Sequence, residues 1–125
     1  MIMNPDNNEF GIKDVINTIE KTQTLASKNG TQLLVILFPA KEEVYLPILG
    51  ESCPDPVGVF QAEFEKRGIP YLNLTPFLSE RARANEKLYF EVDGHPNAAG
   101  YALVAKVVLS HLKDNSKRYG LEDWQ

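Results

Sequence analysis

Residues 33 to 39 are Leu33-Leu34-Val35-Ile36-Leu37-Phe38-Pro39, which include the longest apolar run of the chain. Six consecutive apolar residues closed by a proline predict a β-strand that is buried on both faces, as in the middle of a parallel sheet. A second strand is predicted over 69–74, and an amphipathic helix over 57–67 lies between the two. The order strand, helix, strand favours a right-handed crossover between parallel strands, and therefore an α/β fold.

Further helices are predicted on both sides of this unit. A helix over 10–29 has apolar residues at helical spacing, and Gly30 supplies a left-handed C-cap. A loop with a short helix is expected over 40–45, a short helix over 76–85 and an extended or looped segment over 88–97. The last helix is predicted over 98–112, with Asn97 as its N-cap. The side chains expected on the buried helix faces include Val15, Ile16, Val59, Phe60, Phe64, Phe77, Leu78, Tyr101, Ala102, Ala105, Val108, Leu109 and Leu112.

The composition is that of one globular domain without a large excess of charge of one sign. The chain has 125 residues, 43% of them apolar, which is enough for a single core. Charged residues of both signs make up 24% and leave a net charge of −4, which disfavours nucleic acid as a partner. The longest apolar run is far below the roughly 20 residues that a membrane span needs. Cys53 is the only cysteine, which excludes an internal disulfide.

The predicted strands are too few for a sheet with a buried central strand. Typical sheets have about five or six strands, whereas the sequence predicts two. We therefore expect an α/β domain over 1–113 that is incomplete at its N-terminus, followed by a polar tail over 114–125. The missing strands would come from the rest of a longer chain, from a second copy or from a partner. No signal peptide follows Met1, which indicates the cytoplasm by default and an extracytoplasmic location if an upstream segment is missing.

The candidate chemistry lies in the segment Asp93-Gly94-His95-Pro96. In an extended chain, residues i and i+2 point to the same side, so the Asp93 carboxylate can hydrogen-bond one imidazole nitrogen of His95. Such a partner fixes the tautomer of the ring and leaves its other nitrogen free to act as a general base. Asp-Gly is also an ordinary turn, and the alternative is that both residues only shape the entry into the last helix.

With its surroundings, this segment resembles the last motif block of SGNH (GDSL-type) hydrolases, in which an Asp and a His followed by Pro and Asn lead into a final helix. The segments 33–45 and 69–76 are similar to strands and loops of bacterial members related to polysaccharide O-acetyltransferases. The resemblance implies a three-layer, doubly wound, flavodoxin-like parallel sheet with helices on both faces. It also implies that His95 is the general base and that Asp93 orients it. The two-residue spacing is closer to the alginate acetyltransferase branch than to the commoner three-residue spacing, and Glu91 is a weaker substitute for Asp93.

The nucleophile block of these hydrolases is not recognisable in the sequence. Family members use a serine in a Gly-Asp-Ser motif, and Asn4 lies near where their oxyanion asparagine would fall but lacks its glycine partner. The serines of this chain lie outside such a context: Ser27, Ser52, Ser79, Ser110 and Ser116. The resemblance thus implies the C-terminal part of a serine esterase or O-acetyl-transfer domain that acts on acyl esters, with carbohydrate esters as one candidate class. We expect the isolated chain to be inactive, and no cofactor or metal is implied.

Lys41 and Tyr45 are the candidate substrate-binding residues, because ligands bind at the carboxyl ends of parallel strands. They could contact an acidic or sugar substrate. The alternative is a solvent-facing lysine and a tyrosine packed under a loop. For the whole chain, the alternative function is a non-catalytic α/β module that binds carbohydrate or stabilises a partner. A receiver-like or flavodoxin-like function is disfavoured, since neither an acidic cluster nor a glycine-rich phosphate loop follows the strand over 33–38.

Overall fold

Two parallel strands form the centre of the structure. A computed structural model describes the backbone of residues 5–123 and the side chains of residues 11–123. Strand β1 (Val35–Leu37) pairs with strand β2 (Tyr71–Asn73), and Ile36 lies opposite Leu72. The parallel pairing of the two apolar runs is as the sequence predicts. The ladder covers three residues of each run, so both strands are shorter than predicted.

Five helices surround these strands in the described part of the chain. They are α1 (Pro5–Lys28), α2 (Lys41–Ile48), α3 (Pro56–Arg67), α4 (Thr75–Arg83) and α5 (Ala98–Asp114). Helix α2 is longer than the short helix expected after β1 and includes Pro47. This proline lies one residue before the end of the helix, where its missing N–H removes a single helical hydrogen bond. None of the described helices is long and apolar enough to cross a bilayer.

The helix ends follow the capping residues that the sequence supplies. Gly30, just beyond α1, has φ 67°, and Gly68, the C-cap of α3, has φ 64°; both are in the left-handed region that glycine adopts without steric penalty. The side chain of Asn97 accepts a hydrogen bond from the N–H of Gly100 at 3.0 Å. Asn97 is therefore the N-cap of α5, as predicted.

The core consists of two clusters on opposite sides of the strands. Neighbouring residues of β2 belong to different clusters, because successive side chains of a strand point to opposite faces. On one side α2, α4 and α5 pack around Leu72, and on the other α1 and α3 pack against Tyr71. The buried members of the first cluster are Val44, Leu72, Leu74, Leu78, Ala82, Leu88 and Tyr89. The buried members of the second are Ile16, Leu37, Val57, Phe64 and Ile69.

Strand β1 is not buried on both faces, so that prediction was wrong. Ile36 is 41% exposed, and Phe38, just beyond the strand, is 39% exposed. In the described part of the chain β1 pairs with β2 alone, and the described helices leave Ile36 and Phe38 partly uncovered. Apolar surface that a central strand would bury against further elements is therefore open.

Some side chains that were predicted on buried helix faces are exposed. Neighbouring residues on a helix point about 100° apart, so of two adjacent residues one can be buried while the other faces solvent. Ile16 and Leu78 are buried, whereas their predicted companions Val15 and Phe77 are 45% and 42% exposed. Val59 is 46% exposed. On α5 the side chains that pack against the core are Leu103, Val104, Val107 and Val108. The predicted stripe of α5 instead has solvent-exposed members: Tyr101, Ala102, Ala105 and Leu109.

Candidate functional site

The segment that joins α4 to α5 is a closed loop whose two arms are hydrogen-bonded to each other. The N–H of Asn97 donates to the carbonyl oxygen of Leu88 at 2.9 Å, and the N–H of Phe90 donates to that of His95 at 3.0 Å. Tyr89 and Pro96 form an antiparallel bridge between these bonds. We call residues 88–97 the His95 loop. Its base is fixed by the protein core, since Leu88 is fully buried.

Asp93 and His95 are in direct contact at the tip of this loop. The Asp93 carboxylate accepts the backbone N–H of His95 at 2.9 Å and is also hydrogen-bonded to the ring Nδ1. These residues are in a bend, not in the extended conformation from which the contact was predicted. The contact forms because the same carboxylate oxygen caps the bend. Among the described residues, none hydrogen-bonds to Nε2, the nitrogen that a general base would use.

The electrostatics of the pair favour an ionised Asp93. The hydrogen bond from the His95 ring, together with that from the His95 N–H, holds the pKa of the Asp93 carboxyl below its ordinary value. The His95 side chain is 76% exposed and the Asp93 side chain 60% exposed. The imidazole is therefore accessible to a reacting group, and its nearest anion is a carboxylate that stays charged at neutral pH.

The His95 loop lies at the carboxyl end of β1. The buried hydroxyl of Tyr89 donates to the carbonyl oxygen of Pro39, two residues beyond the strand, at 3.0 Å. Burial raises the pKa of Tyr89 to about 12, so the phenol stays protonated as a donor. The ring of Tyr89 also packs edge-to-face on that of Tyr45, with centroids 6.0 Å apart. Tyr89 was not predicted from the sequence, in which its signal was an aromatic residue beside a leucine at the start of a loop.

Lys41 and Tyr45 both contact the backbone that carries the His95 loop. The ammonium of Lys41 donates to the carbonyl oxygens of Phe90 and Glu91, each at 2.7 Å. The hydroxyl of Tyr45 donates to the carbonyl oxygen of residue 86 at 3.1 Å and accepts the N–H of residue 88 at 3.2 Å. Their contact with a substrate stays a prediction, because these hydrogen bonds do not test it.

Glu91, the weaker substitute for Asp93, is engaged elsewhere. Its carboxylate accepts a hydrogen bond from the ammonium of Lys87 at 2.9 Å. That bond lowers the pKa of Glu91, and both side chains are exposed. Because Asp93 is the carboxylate on the His95 ring, the geometry favours Asp93 as its orienting partner.

A polar cavity of about 540 Å³ opens beside β2, but His95 is not among its lining residues. Its walls include Asn73, Thr75, Ser79 and Arg83. Ser79 is a buried residue of α4 and is not hydrogen-bonded to His95 in the described part of the chain. Asn4, the candidate oxyanion residue, lies outside the described residues. The structure therefore brings Asp93 and His95 together, and no serine, threonine or cysteine among residues 11–123 is hydrogen-bonded to the His95 ring.

Comparison with known families gives one match over nearly the whole chain. The model of a family described as "SGNH hydrolase-like domain, acetyltransferase AlgX" matches residues 2–123. Comparisons with curated proteins and with solved structures found no match.

Proposed function

The chain belongs to the family of SGNH hydrolase-like domains described for the acetyltransferase AlgX, and from this premise we propose that it supplies the Asp93 and His95 of a serine acyl-transfer site. The serine would come from sequence outside these 125 residues. The substrate would be an acyl ester, with carbohydrate esters as one candidate class. Hydrolysis and transfer differ only in whether water or a hydroxyl group accepts the acyl group.

The observation that carries this proposal is the hydrogen bond between the Asp93 carboxylate and Nδ1 of His95. With the proton on Nδ1, the lone pair of Nε2 can accept the proton of a serine hydroxyl as that oxygen attacks the ester carbonyl. The imidazolium then gives this proton to the leaving alcohol, and Asp93 stabilises the positive ring in between. Water or an acceptor hydroxyl, deprotonated by His95 in the same way, releases the acyl group from the serine.

The fold of the complete site would be the three-layer, doubly wound sheet that the family resemblance implies. Support comes from the free edge of β1 and from the exposure of Ile36 and Phe38 beside it. A further strand next to β1 would cover this apolar surface and would end at the same edge of the sheet as the His95 loop. The rest of a longer chain, a second copy or a partner could provide that strand.

A second candidate function is a non-catalytic interaction module, and one observation favours it. Asp93 also accepts the backbone N–H of His95, as an aspartate does in an ordinary turn. The pair would then shape the loop without taking part in chemistry. The two candidate functions predict different effects on turnover when the imidazole is removed.

The test is hydrolysis of p-nitrophenyl acetate by this chain and by a longer version that includes an upstream, in-frame Gly-Asp-Ser. We expect turnover from the longer version alone. His95→Ala should lower its kcat/KM by about 10²-fold or more, the usual contribution of a general base. His111→Ala, which removes the other histidine, is the matched control and should leave the rate unchanged. Turnover that survives His95→Ala, or a longer version with no turnover, would support the interaction module instead.

A further inference from the structure

The ammonium of Lys41 lies where two successive carbonyl oxygens converge. In an extended chain, neighbouring carbonyl groups point in opposite directions, so Phe90 and Glu91 can both reach one cation only through a bend. Their oxygens are each 2.7 Å from Nζ. Two convergent carbonyl dipoles repel each other unless a positive charge lies between them. The Lys41 ammonium supplies that charge and has donors but no acceptor, which suits a site made of carbonyl oxygens.

The position of Lys41 is itself fixed. It is the first residue of α2, four positions after the last residue of β1, and it is partly buried. The carboxylate of Glu43 accepts the N–H of Ala40 at 2.6 Å, which holds the start of this helix. Glu91, the second residue whose carbonyl oxygen Lys41 contacts, is separated from Asp93 by a single residue, Val92. The cation therefore connects a rigid helix start to the arm of the loop that carries the acidic partner of His95.

We propose that Lys41 is a positioning residue that holds the His95 loop in the bend that brings Asp93 onto the imidazole. This inference rests on the proposed function of the Asp93–His95 pair and gives Lys41 a role through that pair. Lys87 provides a contrast, because its ammonium contacts the side chain of Glu91 and not the loop backbone.

The test compares Lys41→Met, which keeps the aliphatic stem, with Lys41→Arg, which keeps the charge and the donors. Lys87→Met removes the charge of the lysine that directly precedes the loop and is the matched control. Two readouts come from nuclear magnetic resonance of the ¹⁵N-labelled chain. One is amide exchange of Phe90, whose N–H donates across the loop to His95. The other is the pair of ring-nitrogen shifts of His95, which report the tautomer that Asp93 selects.

We expect Lys41→Met to speed exchange of the Phe90 amide by about tenfold or more, because two hydrogen bonds to a charged donor are lost. The His95 shifts should move toward a mixture of tautomers. Lys41→Arg should restore most of both signals, and Lys87→Met should change neither. An unchanged Phe90 amide and His95 ring in Lys41→Met would overturn the proposal. Equal acceleration at core amides such as that of Leu72 would overturn it too, since it would show global destabilisation.

A measurement on the unmodified chain covers the case in which Lys41→Met does not fold. Ammonium protons held by two carbonyl oxygens exchange with water more slowly than those of an exposed lysine. The Lys41 ammonium resonance should therefore persist at a temperature at which other lysine signals are lost, and a Lys41 signal no more persistent than the others would contradict the proposal. None of these readouts needs the serine, so the failure of acyl transfer and the failure of this positioning role are distinguishable.

Discussion

Replacing Gly100 by alanine should disturb the packing of α5 on the His95 loop and lower the free energy of unfolding. A Cβ atom at Gly100 would overlap the carbonyl oxygen of Leu88 and would lie 3.1 Å from Cβ of Pro96. That oxygen accepts the N–H of Asn97, so the added methyl group would disturb the hydrogen bond between Asn97 and Leu88, which closes the loop. Overpacking of this kind costs about 1–3 kcal/mol, and weakening one hydrogen bond adds about 0.5–1.5 kcal/mol. The gain in helix propensity offsets at most about 1 kcal/mol, so we expect a net loss of about 0.5–4.5 kcal/mol.

Urea unfolding measures this change, and Gly11→Ala is the matched control. Gly11 lies inside α1, and nothing is within 4 Å of the position its Cβ would take. The same chemical change there should stabilise the chain by about 0.5–1 kcal/mol, since only the helix propensity changes. Opposite signs for the two variants are expected. A Gly100→Ala chain as stable as the unmodified one would refute the close packing of Gly100 on the loop.

Three further predictions address the core and the site. Tyr89→Phe should lower the free energy of unfolding by about 1–2 kcal/mol, because the carbonyl oxygen of Pro39 loses its buried donor; urea unfolding checks this. Phe64→Ala should cost about 3–5 kcal/mol in the same measurement, since this side chain is fully buried. The Asp93 carboxyl should titrate below its ordinary value of about 3.9. Its stabilising contribution is thus present above that value and is lost as the pH falls through the lowered pKa. A ¹³C titration should show this low midpoint, and it should rise in His95→Ala.

The local features of the structure could be predicted from the sequence. Asn97 caps a helix through its side chain, and Gly30 does so through its backbone conformation. Both effects act within a few residues, so they can be predicted from the local sequence. The contact between Asp93 and His95 is likewise local, although a bend and not an extended chain produces it. The parallel pairing of the two apolar runs follows from the helix between them.

The features that sequence analysis missed depend on distant parts of the chain. Lys41 and Phe90 are 49 positions apart in sequence, and no spacing rule links an ammonium to the carbonyl oxygens of a remote loop. The prediction that β1 is buried on both faces was wrong, because burial depends on which other elements pack beside the strand. On α5, apolar residues occur around much of the helix, so periodicity alone could not select Leu103 and Val104 over Tyr101 as the packed face.

In the proposed site, Asp93 holds the His95 ring with its proton on Nδ1 and leaves Nε2 free as the base. The ¹⁵N shifts of the two ring nitrogens test this at a pH of about 8. With one other histidine in the sequence, His111→Ala makes the assignment unambiguous. We predict a ring protonated mainly on Nδ1, and a shift toward the Nε2-protonated form in Asp93→Ala. A ring protonated mainly on Nε2 in the unmodified chain, or shifts that do not respond to Asp93→Ala, would contradict the claim.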